Sequence, residues 1–328
     1  MSNSKPGSGR WMSAAALLAA FLLATSPAVL SQSYPAKPVH AIVTMQGGPL
    51  DAFARLITEK MAQRLKQSLV VESRPGAGGN IATAAVARSV ADGHTVLFAN
   101  DTTFTVNPAL YAKLNFDPER DFIPVSVLGT FGQMIVVNPK LAIGSVEQLA
   151  AASRKRELSF SSSGNGTPSH LAFAYLQSVT GTQARHIPYK TNPEAVSSVV
   201  SGDVDSTMVI ASTVVPHVRA GKLRGLAYSG RKRSIIAPET PTVAELGYPG
   251  FEVEFSWVLL VPAGTPAHVV DTLHREAGRA VTSPELAEKM QAFDLVLTAL
   301  SPAESTIWLR TARDKWTSLI REIKLSVD

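Results

Sequence analysis

Residues 69–90 read LVVESRPGAGGNIATAAVARSV, a short apolar run, a glycine-rich loop and an alanine-rich helical pattern. A strand, a loop and a helix in that order form the repeating unit of an α/β fold. Glycine loops in this setting often hold nucleotide phosphates. A dinucleotide fingerprint needs G-x-G-x-x-G after the first strand and an acidic residue about 20 positions later. Gly76 and Gly78 fit, but the sixth position is Ile81, and Asp92 comes too early and precedes a strand. No G-x-x-x-x-G-K-S/T occurs. The loop therefore reads as a tight passage into a helix, with Asn80 expected as the helix cap.

The flanking sequence repeats the unit. VHAIVTM (39–45) reads as a buried strand ending at Gly47-Gly48-Pro49, followed by a helix with apolar Phe53, Leu56, Ile57, Met61 and Leu65. HTVLFAN (94–100) is the third strand, and together these predict a parallel sheet covered by helices. A second series begins with MIVVNP at Met134 and a helix capped by Ser145. LSF (158–160), the loop SSSGNGTPS and the helix HLAFAYLQSV follow, with ARHIPY, DSTMVI and LRGLAYS as further strands. FEVEFSWVLLVP (251–262) is a long strand after a turn-rich stretch. The tail predicts helices opening at Thr265-Pro266, Ser283-Pro284 and Ser301-Pro302, with a capping box between Ser301 and Glu304. Trp308, Leu309, Ala312, Trp316, Leu319 and Ile320 make the core-facing stripe of the last helix. Long strands at 123–137 and 251–262 bracket the middle series. The pattern predicts two α/β lobes, 34–130 with 256–328 and 131–255, joined by two crossing segments.

Composition narrows the chemistry. A hydrophobic content of 45% and a charged content of 17% describe a chain able to bury a sizeable core. The net charge of +5 is spread along the chain without a block of five like charges, which points away from nucleic acid. There is no cysteine, so disulfides, thiolate catalysis and cysteine-ligated zinc are excluded. Lys5 and Arg10 precede the apolar stretch MSAAALLAAFLLA (12–24), then Pro27 and small residues. This predicts a signal peptide over 1–33, cleaved near Ser31 or Ser33, with an N-terminal anchor as the alternative. Cleavage removes Lys5 and Arg10 and takes the net charge from +5 to about +3.

Hydrolase and metal motifs are missing. There is no G-x-S-x-G elbow, and the seven histidines form neither H-E-x-x-H nor a close cluster with carboxylates. What remains is a set of polar loops at the carboxyl ends of strands: TMQGGPLD (44–51), SRPGAGGN (73–80), ANDTTFT (99–105) and SSSGNGTPSH (161–170). Ligands of open α/β sheets bind there, beside helix N-termini whose dipoles favour negative charge. Thr102, Thr103, Ser163, Thr167 and Asn165 add neutral donors. Composition alone leaves both an anion receptor and an enzyme possible.

Further blocks carry a family resemblance. YPAKPVHAIV, VVESRPGAGGNIA, NPALYAKLNFDPERDFIPVSVL, SSSGNGTPSHLA, HIPYK, PTVAELGYPGFE and VLLVPAGTP, in register from Tyr34 onward, resemble the Bug receptors. These are the TctC-type extracytoplasmic solute-binding proteins of tripartite tricarboxylate transporters. The resemblance implies an α/β, two-lobed periplasmic-binding-protein fold of the Venus-flytrap, type II-like kind, with two crossover strands. It also implies a small carboxylate ligand, a di- or tricarboxylate or an aromatic acid, held with bridging waters. The implied ligand-binding residues are Gln46, Gly47 and Gly48 in one loop, and Ser163, Gly164, Asn165, Gly166 and Thr167 with His170 in the other. Thr102, Thr103 and Tyr189 complete the implied set, with Val209 and Ile210 at the end of a strand.

Departures from the family pattern matter for specificity. Thr44, Met45 and Gln46 replace Phe-Pro-Pro, and Thr191 replaces the glycine of PYKG. Val209 and Ile210 stand where many relatives carry an acidic residue and a polar neighbour, so a ligand without an ammonium group is expected. Asp101-Thr102 replaces a smaller pair and places a carboxylate near the pocket. Asp51 is expected to cap helix N–H groups and not to touch an anion. The resulting expectation is a monomeric periplasmic receptor with no catalytic residue, metal or cofactor, delivering its ligand to membrane permease subunits. The alternatives are a sensor presenting the same ligand to a two-component kinase and an exported α/β enzyme using the same cleft.

Overall fold

The computed structural model describes residues 1–3, 34–323 and 325. The chain divides into Met1–Ala36 and Lys37–Asp328, and the architecture below belongs to the second part. Beyond its first three residues, the expected signal peptide lies outside the described residues.

Strand β1 (Val39–Val43) pairs in parallel with β2 (Leu69–Ser73) and β3 (Thr95–Asn100). Helix α1 (Pro49–Leu65) connects β1 to β2, burying Leu50, Phe53, Ala54, Ile57 and Met61 on one side. That spacing is the helical period read from the sequence. Short helices α2 (Asn80–Ala87), α3 (Thr102–Thr105) and α4 (Asn107–Leu110) follow β2 and β3.

The strand β4 (Phe122–Val137) then runs for 16 residues and belongs to both lobes. From Phe122 to Gly132 it lies antiparallel to β9 (Glu254–Pro262), which in turn pairs with β3. From Gln133 to Val137 it lies antiparallel to β7 (Ser206–Ile210), with β8 (Arg224–Tyr228) on its other side from Met134. The second lobe is completed by β5 (Leu158–Ser162), parallel to β7 and to β6 (Ala184–Pro188). Its helices are α5 (Val146–Ser153), α6 (Pro168–Thr180), α7 (Asn192–Ser201) and α8 (Ala211–Arg219). The sheet is thus parallel within each lobe and antiparallel where β4 and β9 cross. A two-residue strand, β10 (Val296–Leu297), pairs with β4 at Gly129 and Thr130. Sequence periodicity gives no sign of β10, because two residues contain no period.

Each lobe has its own core. Ile42, Leu97, Phe104, Val127, Val258 and Leu260 form one, and Met134, Val136, Val199, Val209 and Val214 belong to the other. The C-terminal helices α9 (Ala267–Val281), α10 (Pro284–Gln291) and α11 (Pro302–Ile323) return to the first lobe. Leu309 of α11 enters its core, and Trp316 stacks on Phe255 of β9 at a centroid distance of 5.4 Å. Fully buried Phe53 packs on Trp257 at 4.7 Å, and burial of each such side chain contributes about 1.5–3 kcal/mol. The capping box forms: Glu304 Oε2 accepts from the Ser301 amide at 2.8 Å. Helix α9 begins one residue later than the Thr-Pro signal suggests, because Pro266 occupies the cap with extended ψ.

Gly132 lies where β4 leaves β9. Its amide donates to the Tyr228 hydroxyl at 2.9 Å, and a Cβ there would sit 2.5 Å from Tyr228 Cζ. Tyr228 is buried and also faces Asp294, so neither ring nor strand has room to yield. Gly132→Ala is expected to lower unfolding stability by about 1–3 kcal/mol through overpacking, measured by urea titration. An unchanged midpoint would show that the crossing tolerates a methyl group.

Candidate functional site

Two adjoining cavities lie between the lobes and share Met45, Asn100 and Ser163. The inner chamber is small, about 20 Å³, room for one or two waters. Its ends are Pro49 and Leu50 at the start of α1, and Pro168 and Ser169 at the start of α6. Trp257, Phe131 and Ile210 wall its sides, while Gln133 and Asn192 bring carboxamides to it. The outer cavity is about 600 Å³. The glycine loop from Pro75 to Gly79 forms one wall; Ser163, Gly164, Asn165 and Thr167 with Tyr189 and Lys190 face it. Thr44, Thr102 and Tyr111 complete the lining. No acidic side chain lines either cavity, and Lys190 is the single charged one among the described residues.

The facing helix starts explain the electrostatics. Both α1 and α6 carry proline at the first position, and neither has a side-chain cap. Helix geometry leaves the first-turn amides without intrahelical acceptors, here those of Leu50 and Asp51 and of Ser169 and His170. Two positive dipole ends therefore meet at the inner chamber, one from each lobe. A shared anion would satisfy both.

The loop amides are disposed differently from expectation. Asp51 Oδ2 accepts from the Gly47 amide at 3.1 Å, while its Oδ1 accepts from Ser73 and pairs with Arg55. In the second loop the Ser163 amide donates to Ser169 Oγ, that of Gly164 to Ser162 Oγ, and that of Thr167 to the Gly164 carbonyl. The Gly166 amide donates to His170 Nδ1 at 3.2 Å. The amides of Gly47, Ser163, Gly164, Gly166 and Thr167 are thus taken by protein acceptors, whereas those of Gly48 and Asn165 and of the helix starts have none among the described residues.

Several predicted residues occupy other places. Gln46 is exposed and lines neither cavity, and Gly48 faces Pro193 of the opposite lobe. Thr103 is buried and donates to the Gly78 carbonyl. Val209 lies wholly in the second core, beside the cavity-lining Ile210. Asn80 is not the cap of α2. Gly79 takes that position at φ +93, and Asn80 Oδ1 accepts from Asn107 at 2.7 Å. Thr191 caps α7 through the Glu194 amide, so the change from glycine supplies a cap.

His170 supports the loop from behind. It stacks on His186 at 4.2 Å, and His186 stacks on Phe160 at 4.7 Å, with Phe173 beyond at 4.0 Å from Phe160. His186 Nε2 meets Ser162 Oγ at 2.6 Å. Burial, with His186 alongside, pushes His170 down to about 3, and burial pushes His186 down to about 4. Both rings are neutral near pH 7 and act as acceptors or donors without charge. Asp101 is also out of the cavities: it is fully buried, Oδ2 accepts from Ser256 at 2.9 Å, and burial pushes it up to about 7.

Gln133, Asn192 and Tyr111 line the cavities from outside the candidate loops, and Met45, Asn100 and Ser169 line them from within those loops without being among the implied ligand-binding residues. Gln133 carried a signal, being a lone amide inside the apolar run TFGQMIVV. Asn192 opens a helix followed by Pro193, but that helix differs from the other two in carrying a side-chain cap, Thr191.

Two outcomes follow. Gly166 has φ +72, and a Cβ there would lie 2.9 Å from Asn107 Oδ1 in the opposite lobe. Gly166→Val is expected to abolish the thermal stabilisation given by the best acid of a carboxylate panel; an unchanged shift would remove this loop from the site. The second concerns pH. His170 and His186 fall below their usual 6.5, so stability drops as pH falls from about 6.5 to about 4. Asp101 rises from 3.8 to about 7, so its contribution is full below 3.8 and is lost as pH rises through about 7. Asp101→Asn removes the opposing slope and is expected to steepen the gain in Tm from pH 4 to 6.5 relative to wild type. Equal slopes would refute that assignment.

Comparison with known proteins agrees with this architecture. Residues 53–325 match the family model described as the tripartite tricarboxylate transporter family receptor. BugT of Bordetella pertussis is 32% identical over 298 residues, covering 90% of this chain and 91% of BugT. The periplasmic binding protein BugD superposes with a TM-score of 0.85 at 28% identity, covering 90% of this chain and all of BugD. Rpa4515 of R. palustris, solved with adipate, gives a TM-score of 0.86 at 27% identity, again covering 90% and 100%. This chain, with two helix starts facing one uncharged chamber between two lobes, belongs to the tripartite tricarboxylate transporter receptor family.

Proposed function

We propose that this protein is a periplasmic receptor that captures a small carboxylate between its lobes and delivers it to the permease subunits of a tripartite transporter. The carrying observation is the pairing of the α1 and α6 N-termini across a chamber that no acidic side chain lines. The adipate held by the structurally similar Rpa4515 supports a carboxylate. The lobes take the extents 34–130 with 256–328 and 131–255, and the receptor works as a monomer. A di- or tricarboxylate or an aromatic acid is the ligand class, its body in the outer cavity and its carboxylate at the helix starts.

Binding by dipoles suits a carrier. A carboxylate taken from water into contact with a buried cation must be desolvated together with that cation, and the pair is then costly to separate. Aligned amides hold the charge with less desolvation and release it readily. Thermal unfolding with a panel of mono-, di- and tricarboxylates and aromatic acids tests the reading. At about 100 Kd a true ligand adds about 2.7 kcal/mol of stability, whereas no stabilisation by any acid would sink the proposal. Raising NaCl from about 0.05 to about 0.5 M is expected to weaken binding less than about tenfold, because Lys190 alone brings full charge.

A further inference from the structure

Helix α11 borders an aromatic groove that shares no residue with the two inter-lobe cavities. Trp308, Ala312 and Trp316 are spaced by four residues and so share one face of the helix. The small Ala312 leaves a notch between the two indoles, in a groove of about 390 Å³ edged by Ile307. Both indoles are held in place: Trp316 stacks on Phe255, and Trp308 Nε1 donates to Ser256 Oγ at 3.2 Å. Ile307 is 63% exposed. The opposite wall carries Glu252 and Glu254, and Glu304 stands at the helix start. Among the described residues, the lining sets one cation against these three carboxylates, Lys315, whose Nζ donates to the Glu252 carbonyl at 2.9 Å. From outside the lining, the Arg231 guanidinium approaches Glu252 at 3.9 Å, and the Arg231 amide donates to Glu254 Oε1.

We propose that this groove docks a segment of a partner protein that presents arginine or lysine side chains around an apolar one. An exposed apolar patch rimmed by polar side chains marks an interaction surface. Here the rim is acidic on a chain whose net charge is +5, and the sign of the rim sets the sign of the partner. Guanidinium or ammonium groups meet the carboxylates and the indole faces, which attract cations. The apolar side chain fills the notch over Ala312. An anionic lipid surface is repelled by the same carboxylates. The groove also lies beside the crossing: Glu254 pairs with Gly132 where β4 leaves β9, while the two tryptophans belong to the helix that returns to the first lobe. A segment seated there touches both the crossing and that helix.

Amidated probe peptides test this by calorimetry on the intact protein. The first is Arg-Leu-Gly-Arg-Leu-Gly-Arg; the second has Glu for every Arg, and the third has Gly for every Leu. The first is expected to bind at about 10–100 μM, at least about tenfold tighter than either of the others. Raising NaCl to about 0.5 M is expected to weaken it at least about fivefold. Glu254→Lys and, separately, Ile307→Ser are each expected to weaken it at least about fivefold. Both side chains are exposed, so neither change touches the core, and circular dichroism checks that each variant is folded. No binding of the first peptide at about 1 mM, equal binding of either control, or an affinity unchanged in either folded variant overturns the proposal. Putrescine or arginine amide binding as tightly as the peptide would put a small organic cation in the groove and overturns it too. So does a dimer in sedimentation that Ile307→Ser dissociates, since a second copy of the chain would then cover the groove. None of these outcomes bears on the carboxylate reading.

Discussion

Gly132 passes beneath the ring of Tyr228, its amide bonded to the phenol oxygen, at the place where β4 stops pairing with β9 and takes β7 and β8 as neighbours. Both lobes are built outward from that crossing. The strand is buried over nearly its full length, so it must satisfy its backbone in the first sheet and then in the second without a break. Gln133, the next residue, reaches the inner chamber. The crossing thus joins the lobes and also supplies one wall of the site.

From this frame the electrostatics follow. Strands that run parallel within each lobe aim the starts of α1 and α6 at the seam between them. In the glycine loops before those helices, the amides of Gly47, Ser163, Gly164 and Gly166 are spent on Asp51, Ser169, Ser162 and His170. Those bonds tie each loop to the first turn of its own helix or to the strand before it, and the helix starts carry positive dipole ends. The histidine stack does its part by remaining uncharged: a protonated ring could not accept the Gly166 amide through Nδ1.

Much of the architecture is legible in the linear pattern. The alternation of apolar runs with helical periods locates β1, α1, β2 and β3, and Ser145, Ser283 and Ser301 mark helix starts within a residue. The family blocks give the two-lobed form. The site is legible in outline, since Gly47, Ser163, Asn165, Thr167, Tyr189 and Ile210 do line the cavities. Its detail is not. Whether an amide faces a ligand or a neighbouring side chain depends on Asp51 and His170, which accept the Gly47 and Gly166 amides at 3.1 and 3.2 Å.

The sequence by itself determined the elements, their order and the absence of thiol, metal and nucleotide motifs, because these depend on local periodicity and residue type. Only the tertiary structure decided which donors remain free, which lobe residue meets which across the seam, and that Gln133 and Asn192 share one chamber. Those facts join residues far apart in the chain, Gln133 and Asn192 by 59 positions and Gly78 and Asn165 by 87, and no local pattern encodes a distance through space. The glycine loop at 73–80 shows the division. Its turn was readable, but its place as a cavity wall depended on Gly78 meeting Asn165 from the other lobe.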